Sequence, residues 1–323
     1  MKKLIIAILL AAVLMGGILA GCQKKEAAAE KVNLILATGG TSGTYYPYGG
    51  AMGQIWNTNI EGMNVTAQST GASKENIRLV GKSEAELAIV QNDVMDYAMK
   101  GIELFDGEKV ETFSTVATLY PEIVQIVVAK DSNINSIADM KGRSISVGDA
   151  GSGVEANAKQ ILEAYGLTFD DLKAKRLSFK ESGSALKDKQ IEGFFVTAGI
   201  PNAAIQEIAT IGGVKLISLD AAAKKNLMDK YKFYTEFTIS KDTYNGMEMD
   251  AQTVAVKATL IVNNDIPENV VYNLTKTLFD KQADLAQAHA KGNNLILKDA
   301  VMGASVPFHP GAAKYYKEMG VIK

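Results

Sequence analysis

The sequence predicts an α/β fold with mixed, mostly parallel sheets, because strand-like and helix-like segments alternate along most of the chain. Short apolar segments rich in β-branched residues recur, and most precede a loop and then a helical pattern. Parallel strands joined by helices explain this alternation. The chain has 323 residues, which is long for one compact domain and suits two.

The first part of the chain predicts seven elements. They are a strand at 32–37, a helix opened by Pro47 and reaching about Thr58, a strand at 63–68, a helix at 73–81, a short strand at 87–90, a helix at 93–99 and a long strand at 115–129 broken at Pro121. The second part repeats the alternation. It predicts strands at 143–147, 177–179, 194–197, 215–219 and 253–262, a helix along the stripe from Val154 to Tyr165, and a helix from Pro267 to about Ala290.

The composition excludes several classes of protein. Lys and Arg total 34 and Asp and Glu total 36, so there is no basic excess to hold a nucleic-acid backbone. One Cys and two His leave no disulfide scaffold and no Cys-rich or His-rich metal site. We therefore expect no nucleic-acid partner, no metal and no cofactor.

The N-terminus has the pattern of an export signal. A basic start precedes an apolar run at 4–20, and Leu-Ala-Gly then leads into Cys22. This ending resembles the bacterial lipobox, whose Cys is acylated and becomes the first mature residue. We predict a lipoprotein signal peptide at 1–21, lipidation of Cys22, a flexible polar tether at 22–31, and an extracytoplasmic protein anchored in the lipid bilayer. The alternative is an uncleaved anchor, since the run is just short of the usual span of about 20 residues.

Two Gly-rich loops, each between a strand and a helix, are the strongest candidate sites. Small residues allow backbone N–H groups to approach a ligand, and a helix start adds partial positive charge, so such loops suit a carboxylate or phosphate. In the first loop the candidate ligand-binding residues are Gly40, Thr41, Ser42, Gly43, Thr44, Tyr45 and Tyr46. In the second they are Ala150, Gly151, Ser152 and Gly153. The second loop also fits G-x-G-x-x-A, which leaves a nucleotide-binding interpretation open.

Polar residues at the ends of other strands extend this candidate site. Gln91 and Asp93 follow one apolar strand and Thr197 ends another, where a ligand crevice lies in open α/β sheets. We predict that Gln91 and Asp93 orient the ligand's polar groups, although residues at 92–93 also suit a helix cap. Arg78 could pair with a ligand carboxylate or lie on a solvated helix face. His309 lies in a rigid Pro-flanked turn and could be structural or contact the ligand.

The sequence shows no catalytic set. No G-x-S-x-G pattern surrounds Ser42, Ser152 or Ser184, and no nucleophile–base pair is visible. An exported α/β protein with anion-binding loops and no catalytic residues is most simply a binding protein, so we predict that it is not an enzyme.

Residues 37–47, ATGGTSGTYYP, closely resemble the N-terminal signature of the TAXI solute-binding proteins of TRAP transporters. Weaker similarities follow in order at 69–76, 91–93, 148–153, 195–199 and 307–312, and the resemblance covers about 32–319. One departure is Ser42 within the first loop.

The resemblance implies a two-lobed type II periplasmic-binding-protein fold with two crossing strands. Lobe I would comprise 32–121 and 251–323, and lobe II would comprise 122–250. It also implies a small carboxylate or amino-acid ligand, similar to glutamate, glutamine or 2-oxoglutarate, delivered to an integral-membrane TRAP permease. Two alternatives stay open: a receptor of an ABC importer for a phosphate-bearing or thiamine-like solute, and an exported nucleotide-using enzyme.

Overall fold

The computed structural model describes residues 31–323, which contain ten strands and ten α-helices. The strands are β1 (Val32–Ala37), β2 (Met63–Gln68), β3 (Leu87–Gln91), β4 (Phe113–Ala129), β5 (Ser144–Ser146), β6 (Lys173–Lys175), β7 (Gly193–Ala198), β8 (Val214–Leu216), β9 (Thr235–Ile239) and β10 (Ala251–Asn263). The helices are α1 (Tyr45–Asn59), α2 (Ser73–Gly81), α3 (Asn92–Lys100), α4 (Gly153–Ala164), α5 (Phe179–Lys187), α6 (Ala203–Gly212), α7 (Ala221–Lys230), α8 (Glu268–Asp280), α9 (Gln282–Ala288) and α10 (Pro310–Glu318).

The predicted signal peptide at 1–21, the lipidation site at Cys22 and all of the tether except Lys31 lie outside the described residues. None of the helices within 31–323 is long and apolar enough to cross a membrane.

The strands form one hydrogen-bonded sheet in the order β2-β1-β3-β10-β4-β7-β5-β6, with β8 beside β4 and β9 beside β10. Pairing is parallel among β1, β2 and β3 and among β5, β6 and β7. The two longest strands, β4 and β10, pair antiparallel with each other, and each also pairs with shorter strands at the sheet's centre. Both long strands therefore cross from one parallel group to the other, and the sheet is mixed.

The hydrophobic core has two halves that divide along the crossing strands. One half takes its buried residues from Leu34–Tyr120 and Ala258–Tyr316. The other takes them from Ile123–Val256. The start of β10 packs with the second half, whereas the resemblance assigned all of 251–323 to lobe I. We propose that lobe I comprises 32–121 and 258–323 and that lobe II comprises 122–257.

Most predicted elements are confirmed, and three have bounds identical to the prediction: β1, β2 and α2. The predicted break at Pro121 is wrong, because β4 runs through it without interruption. At this position β4 pairs with Lys257 of β10 on one side, and β7 joins on the other side only from Ile123. Proline has no backbone N–H, and it is tolerated at position 121 because no neighbouring strand forms hydrogen bonds with that side of β4.

The predicted strand at 177–179 is also wrong, because a capping box starts α5 there. Ser178 Oγ accepts from the Glu181 backbone N–H at 3.3 Å, and Glu181 Oε2 accepts from the Ser178 N–H at 2.9 Å. The predicted helix from Pro267 to about Ala290 is two helices, α8 and α9. They meet at Lys281, whose φ of -108° and ψ of 22° depart from helical backbone.

Candidate functional site

A cleft lies between the two halves of the core and contains about 530 Å³ of free space, its mouth included. Both predicted loops, the ends of β3 and β7 and the middle of β4 contribute to its walls. The lining residues are Gly39, Gly40, Ser42, Gly43, Thr44, Tyr45, Ala72, Ser73, Gln91, Glu122, Asp149, Ser152, Gly153, Val154, Ser178, Phe179, Thr197 and Ala198.

The first loop connects β1 to α1 and reaches across to lobe II. A turn within it is closed by the Gly43 N–H, which donates to the Gly40 carbonyl at 2.9 Å. A Cβ on Gly43 would lie 3.7 Å from the Phe179 ring of α5, so this loop packs directly against the other lobe. Thr44 precedes α1, and its hydroxyl makes no capping bond to that helix. The Thr44 hydroxyl is therefore available to a ligand.

The second loop connects β5 to α4 and faces the first across the cleft. Ser152 caps α4 by accepting from the Glu155 N–H at 3.1 Å. A Cβ on Gly153 would lie 2.2 Å from Gln91 Oε1, a separation that real side chains do not reach. Glycine at position 153 therefore lets the lobe II backbone contact the Gln91 side chain of lobe I.

Four helices begin at the wall of the cleft. The first residues of α1, α2, α4 and α5 are Tyr45, Ser73, Gly153 and Phe179, and all four line it. The first backbone N–H groups of a helix have no partner within it and carry partial positive charge. Four helix starts in the wall of one cavity favour an anionic group there.

The ionisable side chains that line the cleft are acidic. Glu122 of β4 is only 2% exposed, and Tyr45 Oη donates to its Oε2 at 2.6 Å. Burial raises the pKa of Glu122 to about 8, against the opposing effect of the Tyr45 hydrogen bond. Burial, with the charges of Glu181 and Glu75, also raises the pKa of half-buried Asp149. Among the described residues, no Lys, Arg or His lines the cavity.

One basic side chain lies close to the first loop without lining the cavity. A Cβ on Gly199 would lie 2.7 Å from Lys291 Cε and 3.2 Å from Thr44 Oγ1, so the lysine stem passes near the Thr44 hydroxyl. Burial lowers the pKa of Lys291. Within residues 31–323, Lys291 forms no salt bridge.

Two buried side chains in the cleft have unused polar atoms. Gln91 Oε1 and Thr197 Oγ1 have no hydrogen-bond partner within the described part of the chain, and both residues line the cavity. Gln91 is 2% exposed and Thr197 is 4% exposed. An unsatisfied buried polar group is costly, so these two atoms are positioned for a ligand.

The structure brings nine of the fourteen predicted ligand-binding residues to the cleft wall. They are Gly40, Ser42, Gly43, Thr44, Tyr45, Gln91, Ser152, Gly153 and Thr197. Thr41 instead lines a neighbouring groove beside α5 and α6. Tyr46 is 37% exposed and outside the cavity wall. Ala150 and Gly151 line a third groove, next to Lys74 and Arg78.

Asp93 lies behind the cleft and joins the two lobes. It is fully buried, and its Oδ2 accepts from Asn157 Nδ2 of α4 at 3.0 Å. The same Asn157 Nδ2 donates to Tyr234 Oη at 2.7 Å. Burial raises the pKa of Asp93 to about 7. The structure therefore places Asp93 in a contact between α3 and α4, away from the cavity wall.

The two other candidates also lie elsewhere. Arg78 forms an exposed ion pair with Glu108 at 2.7 Å, the solvated alternative that the sequence left open. His309 is buried, and its Nδ1 accepts from the Gly311 N–H at 3.2 Å, which caps α10.

Glu122 lines the cleft and Lys291 lies near it, but the sequence patterns predicted neither. Glu122 is the one charged residue of β4, FSTVATLYPEIVQIVVA, and a lone acid inside an apolar strand was a signal that could have identified it. Lys291 follows α9 in a polar segment, and nothing in its neighbourhood along the chain indicates the cleft.

The geometry gives no support to a metal or a dinucleotide. Within 31–323, no group of three or more His, Cys, Asp or Glu side chains could hold a metal ion. In the G-x-G-x-x-A motif the second glycine is Gly153, where a pyrophosphate would approach the backbone. The Gln91 side chain lies against that glycine instead.

Comparisons with known proteins agree with the two-lobed fold. Periplasmic binding protein BugD matches with a TM-score of 0.55 and 16% identity, over 91% of this chain and 98% of that one. The GluR0 ligand-binding core from Nostoc punctiforme, in complex with L-glutamate, matches with a TM-score of 0.50 and 13% identity, over 81% of this chain and 100% of that one. The alkanesulfonate-binding protein SsuA from Xanthomonas axonopodis pv. citri, bound to MOPS, has a TM-score of 0.50 and 13% identity, over 92% and 86% of the two chains.

These likenesses show the fold predicted from the resemblance: two α/β lobes with a mixed sheet and a cleft between them, as in type II periplasmic binding proteins. The family model of the NMT1-like family matches residues 36–320, which is most of the described chain. The chain therefore belongs to the NMT1-like family.

Proposed function

We propose that this protein is an extracytoplasmic solute-binding lipoprotein that captures a small carboxylate between its lobes and delivers it to a TRAP membrane permease. The observation that carries the proposal is the cleft itself. Four helix N-termini and two buried, unpartnered polar atoms meet in one cavity between the lobes.

The known proteins with this fold support solute binding in general. The three compared structures are a periplasmic binding protein, a ligand-binding core in complex with L-glutamate, and an alkanesulfonate-binding protein. The described lining also lacks a histidine that could activate its serine or threonine hydroxyls, so it holds no Ser–His or Thr–His pair. Binding without chemical change is the function that this lining suits.

In this proposal the solute's carboxylate is held by backbone N–H groups at the starts of α1 and α4. The Thr44 hydroxyl adds a donor, and the Lys291 side chain adds positive charge beside it. Hydrogen bonds to an anion are charge-assisted, so neutral donors suffice at the helix ends. The solute therefore contacts both lobes at once and favours their closed arrangement.

Closure is the signal that a permease would read. Asn202 Nδ2 of lobe II donates to the Ser42 carbonyl of lobe I at 3.3 Å, next to the cleft. On the other side, Gln160 Nε2 of α4 donates to Tyr97 Oη of α3 at 3.0 Å. These contacts form only when the lobes meet, and β4 and β10 are the segments about which the lobes would rotate.

The TRAP assignment rests on the resemblance of residues 37–47 to the TAXI signature. Membrane anchoring rests on the lipobox pattern that ends at Cys22. Uptake by proteoliposomes that carry a TRAP permease, with this protein added, tests the transport class. We expect uptake driven by an ion gradient without ATP, and a requirement for ATP would identify an ABC importer instead.

Isothermal titration calorimetry tests solute capture. The sole tryptophan, Trp56, is buried and donates to the Leu274 carbonyl in lobe I, so its fluorescence is a poor reporter of the cleft. We expect one small carboxylate to bind with 1:1 stoichiometry. Binding of phosphate esters alone would favour the ABC alternative, and binding of no small anion would contradict the proposal.

Thr44→Val removes the hydroxyl that faces the cleft and keeps the side-chain shape. We expect weaker binding by about 1–3 kcal/mol, because a buried donor or acceptor would lose its partner. Thr210→Val is the matched control, since the Thr210 hydroxyl lies on the exposed face of α6. Unchanged affinity in Thr44→Val would remove Thr44 from the site.

A further inference from the structure

Glu122 is a buried acid in a cavity that otherwise suits an anion. Its side chain lines the cleft, and the residue is only 2% exposed. The starts of α1, α2, α4 and α5 lie in the same walls and favour a negatively charged solute. Within residues 31–323, Glu122 forms no salt bridge. An ionised Glu122 would repel the anion that the helix starts attract, so the two features conflict unless Glu122 meets the solute in its neutral form.

We propose that Glu122 is a hydrogen-bond donor in this site, and that its protonated carboxyl group donates its O–H to the carboxylate of the solute. This inference rests on the proposed function and deepens it, because it names a residue that recognises the anion and makes solute capture depend on pH. It requires no charge on Glu122 and applies to any small carboxylate.

Tyr45 determines which oxygen of Glu122 faces the solute. Tyr45 Oη donates to Glu122 Oε2 at 2.6 Å, so Oε2 is occupied as an acceptor. A protonated carboxyl group has one O–H donor, and the carbonyl oxygen is its better acceptor. The proton is therefore favoured on Oε1, which makes no hydrogen bond with any described residue. This arrangement leaves the O–H of Glu122 free for the solute.

The O–H of Glu122 lies near other groups that suit a carboxylate. Tyr45, which donates to Glu122, is the residue that begins α1. Thr197 Oγ1 of β7 has no hydrogen-bond partner among the described residues, and a hydroxyl donates as well as accepts. Glu122 and Thr197 thus add O–H donors from the strands to the N–H donors of the helix starts. Hydrogen bonds from an O–H to an ionised oxygen are short and strong.

The described surroundings of Glu122 do not pair it with a base. The groups around it are Tyr45 of α1, Tyr120 of β4, Asp93 of α3, Val256 of β10 and, from lobe II, Asp149 in the same cavity wall. Lys257, the next residue of β10, donates instead to the Met302 carbonyl at 3.1 Å. Burial, with the charge of Asp93, raises the pKa of Glu122 to about 8, so Glu122 in the empty cleft holds its proton at neutral pH.

The sign of the pH effect follows from the charge of the solute. A bound anion disfavours the ionised form of Glu122, so the pKa of Glu122 rises further in the complex. Binding then takes up a proton at any pH where Glu122 of the empty cleft is ionised. The affinity is therefore constant up to about pH 7 and falls above about pH 8, by up to about tenfold per pH unit.

Calorimetry of the unmodified protein between pH 6.5 and pH 9.0 tests the proposal. The probes are 2-oxoglutarate, succinate and L-glutamate, and the tightest-binding one is used throughout. We expect about tenfold weaker binding at pH 9.0 than at pH 6.5. Titrations in two buffers that differ in ionisation enthalpy should show uptake of close to one proton at pH 9.0 and close to none at pH 6.5.

Two substitutions separate the donor from the charge. Glu122→Gln cannot ionise but keeps an N–H donor, so it should bind within about threefold of the unmodified protein at pH 6.5 and lose most of the pH dependence. Glu122→Met offers no donor and should bind at least about tenfold more weakly at pH 6.5. Glu248→Gln changes a side chain that is 78% exposed and should keep the full pH dependence. The proton-uptake measurement uses the unmodified protein, so it decides the question even if a Glu122 variant does not fold.

Lys291 and Asp149 also titrate near the cleft and need their own controls. Burial lowers the pKa of Lys291, and loss of its charge at high pH would weaken the binding of an anion as well. Lys291→Gln should bind more weakly at pH 6.5 but still take up close to one proton at pH 9.0. Asp149→Asn should keep this uptake too.

Three results would overturn the inference: an affinity that does not change with pH, a proton released on binding, or a pH dependence that persists in Glu122→Gln. Each of them leaves the proposed capture of a carboxylate intact. Binding of no small carboxylate would instead overturn the proposed function, and this inference with it.

Discussion

Gly153 shows how one small residue can determine the width of an interlobe cleft. A Cβ added at position 153 would lie only 2.2 Å from Gln91 Oε1. The bulk of one methyl group would therefore push the second loop away from lobe I. Because the same glycine begins α4, that displacement would also move the helix N-terminus away from the solute.

Gly153→Ala should weaken solute binding by about 10-fold or more and leave the thermal stability of the solute-free protein nearly unchanged. The reason is that the added methyl group clashes with Gln91 only when the lobes are closed. The clash therefore raises the free energy of the closed, solute-bound state and not that of the open state. Calorimetry and a thermal melt measure the two quantities. Gly40→Ala is the control within the opposite loop, since a Cβ there meets nothing within 4 Å. Equal losses in both variants would show that the Gln91 contact does not matter.

At the scale of residues, the sequence predicted the positions of loops and strand ends better than it predicted which side chains are buried. Three of the four predicted loop glycines and the strand-end residues Gln91 and Thr197 reach the cleft, because Gly-rich turns after strands are local patterns. Asp93 follows Gln91 by two positions but points behind the cleft toward Asn157. Its direction depends on the packing of α3 against α4, which is long-range information. Glu122 was missed because its contact with Tyr45 joins positions far apart in the chain.

At the scale of elements, α3 and α4 form a buried polar contact between the lobes. Asp93, Asn157 and Tyr234 are linked by hydrogen bonds, and Gln160 connects Tyr97 to Tyr234. All five residues are buried. A buried polar group is destabilising when it has no hydrogen-bond partner. Removal of one member of this network therefore destabilises the fold by leaving the others unpaired.

Asn157→Ala should lower the free energy of unfolding by about 1–3 kcal/mol, with a larger loss at pH 8 than at pH 6. The difference arises because the pKa of Asp93 is raised to about 7, so at pH 8 the variant buries an ionised carboxylate without its amide donor. Denaturation with urea at the two pH values measures this. Asn64→Ala, which removes an exposed hydrogen bond to Asn33, is the control. A loss independent of pH would contradict the role assigned to Asp93.

The order of elements was largely predictable, because periodicity and loop composition are local signals. The errors fall where a few residues override them. Ser178 and Glu181 form a capping box that converts an apolar triplet into a helix start. Pro121 is accepted inside β4 because β7 joins only two residues later. The antiparallel pairing of β4 with β10 joins segments more than 120 positions apart, and no local pattern specifies it.

At the scale of the whole molecule, two acids are buried at the centre of the fold, Glu122 on the crossing strand β4 and Asp93 at the start of α3, and neither has a basic partner among the described residues. The pKa of Glu122 is raised to about 8 and that of Asp93 to about 7, so the folded state holds both carboxyl groups in their protonated form more strongly than the unfolded chain does. In the unfolded chain these carboxyls ionise above their ordinary pKa values near 4. Their contribution to stability is therefore fully present below about pH 4 and is lost as pH rises through 7 and 8.

The solute-free protein should accordingly lose unfolding free energy between pH 5 and pH 8, by about 1.4 kcal/mol per pH unit for each acid that is ionised only in the unfolded chain. Glu122→Gln should show a shallower decline, because the glutamine does not ionise in either state. Urea denaturation at half-unit pH intervals measures both curves. Exposed carboxyls with lowered pKa values, such as Asp171 and Asp220, act at more acidic pH. Burial lowers the pKa values of His289 and His309, and these two groups oppose the decline up to about their ordinary pKa of 6.5. A stability that rises from pH 5 to pH 8 would be incompatible with two buried, protonated acids.

A crystal structure grown with the tightest-binding solute tests the central claim most directly. The account predicts one solute molecule between the lobes, with its carboxylate within hydrogen-bond distance of the Thr44 loop and of the start of α4 at Gly153. Solute density on an outer face, or in a cleft where only one of these two loops touches it, would contradict the account.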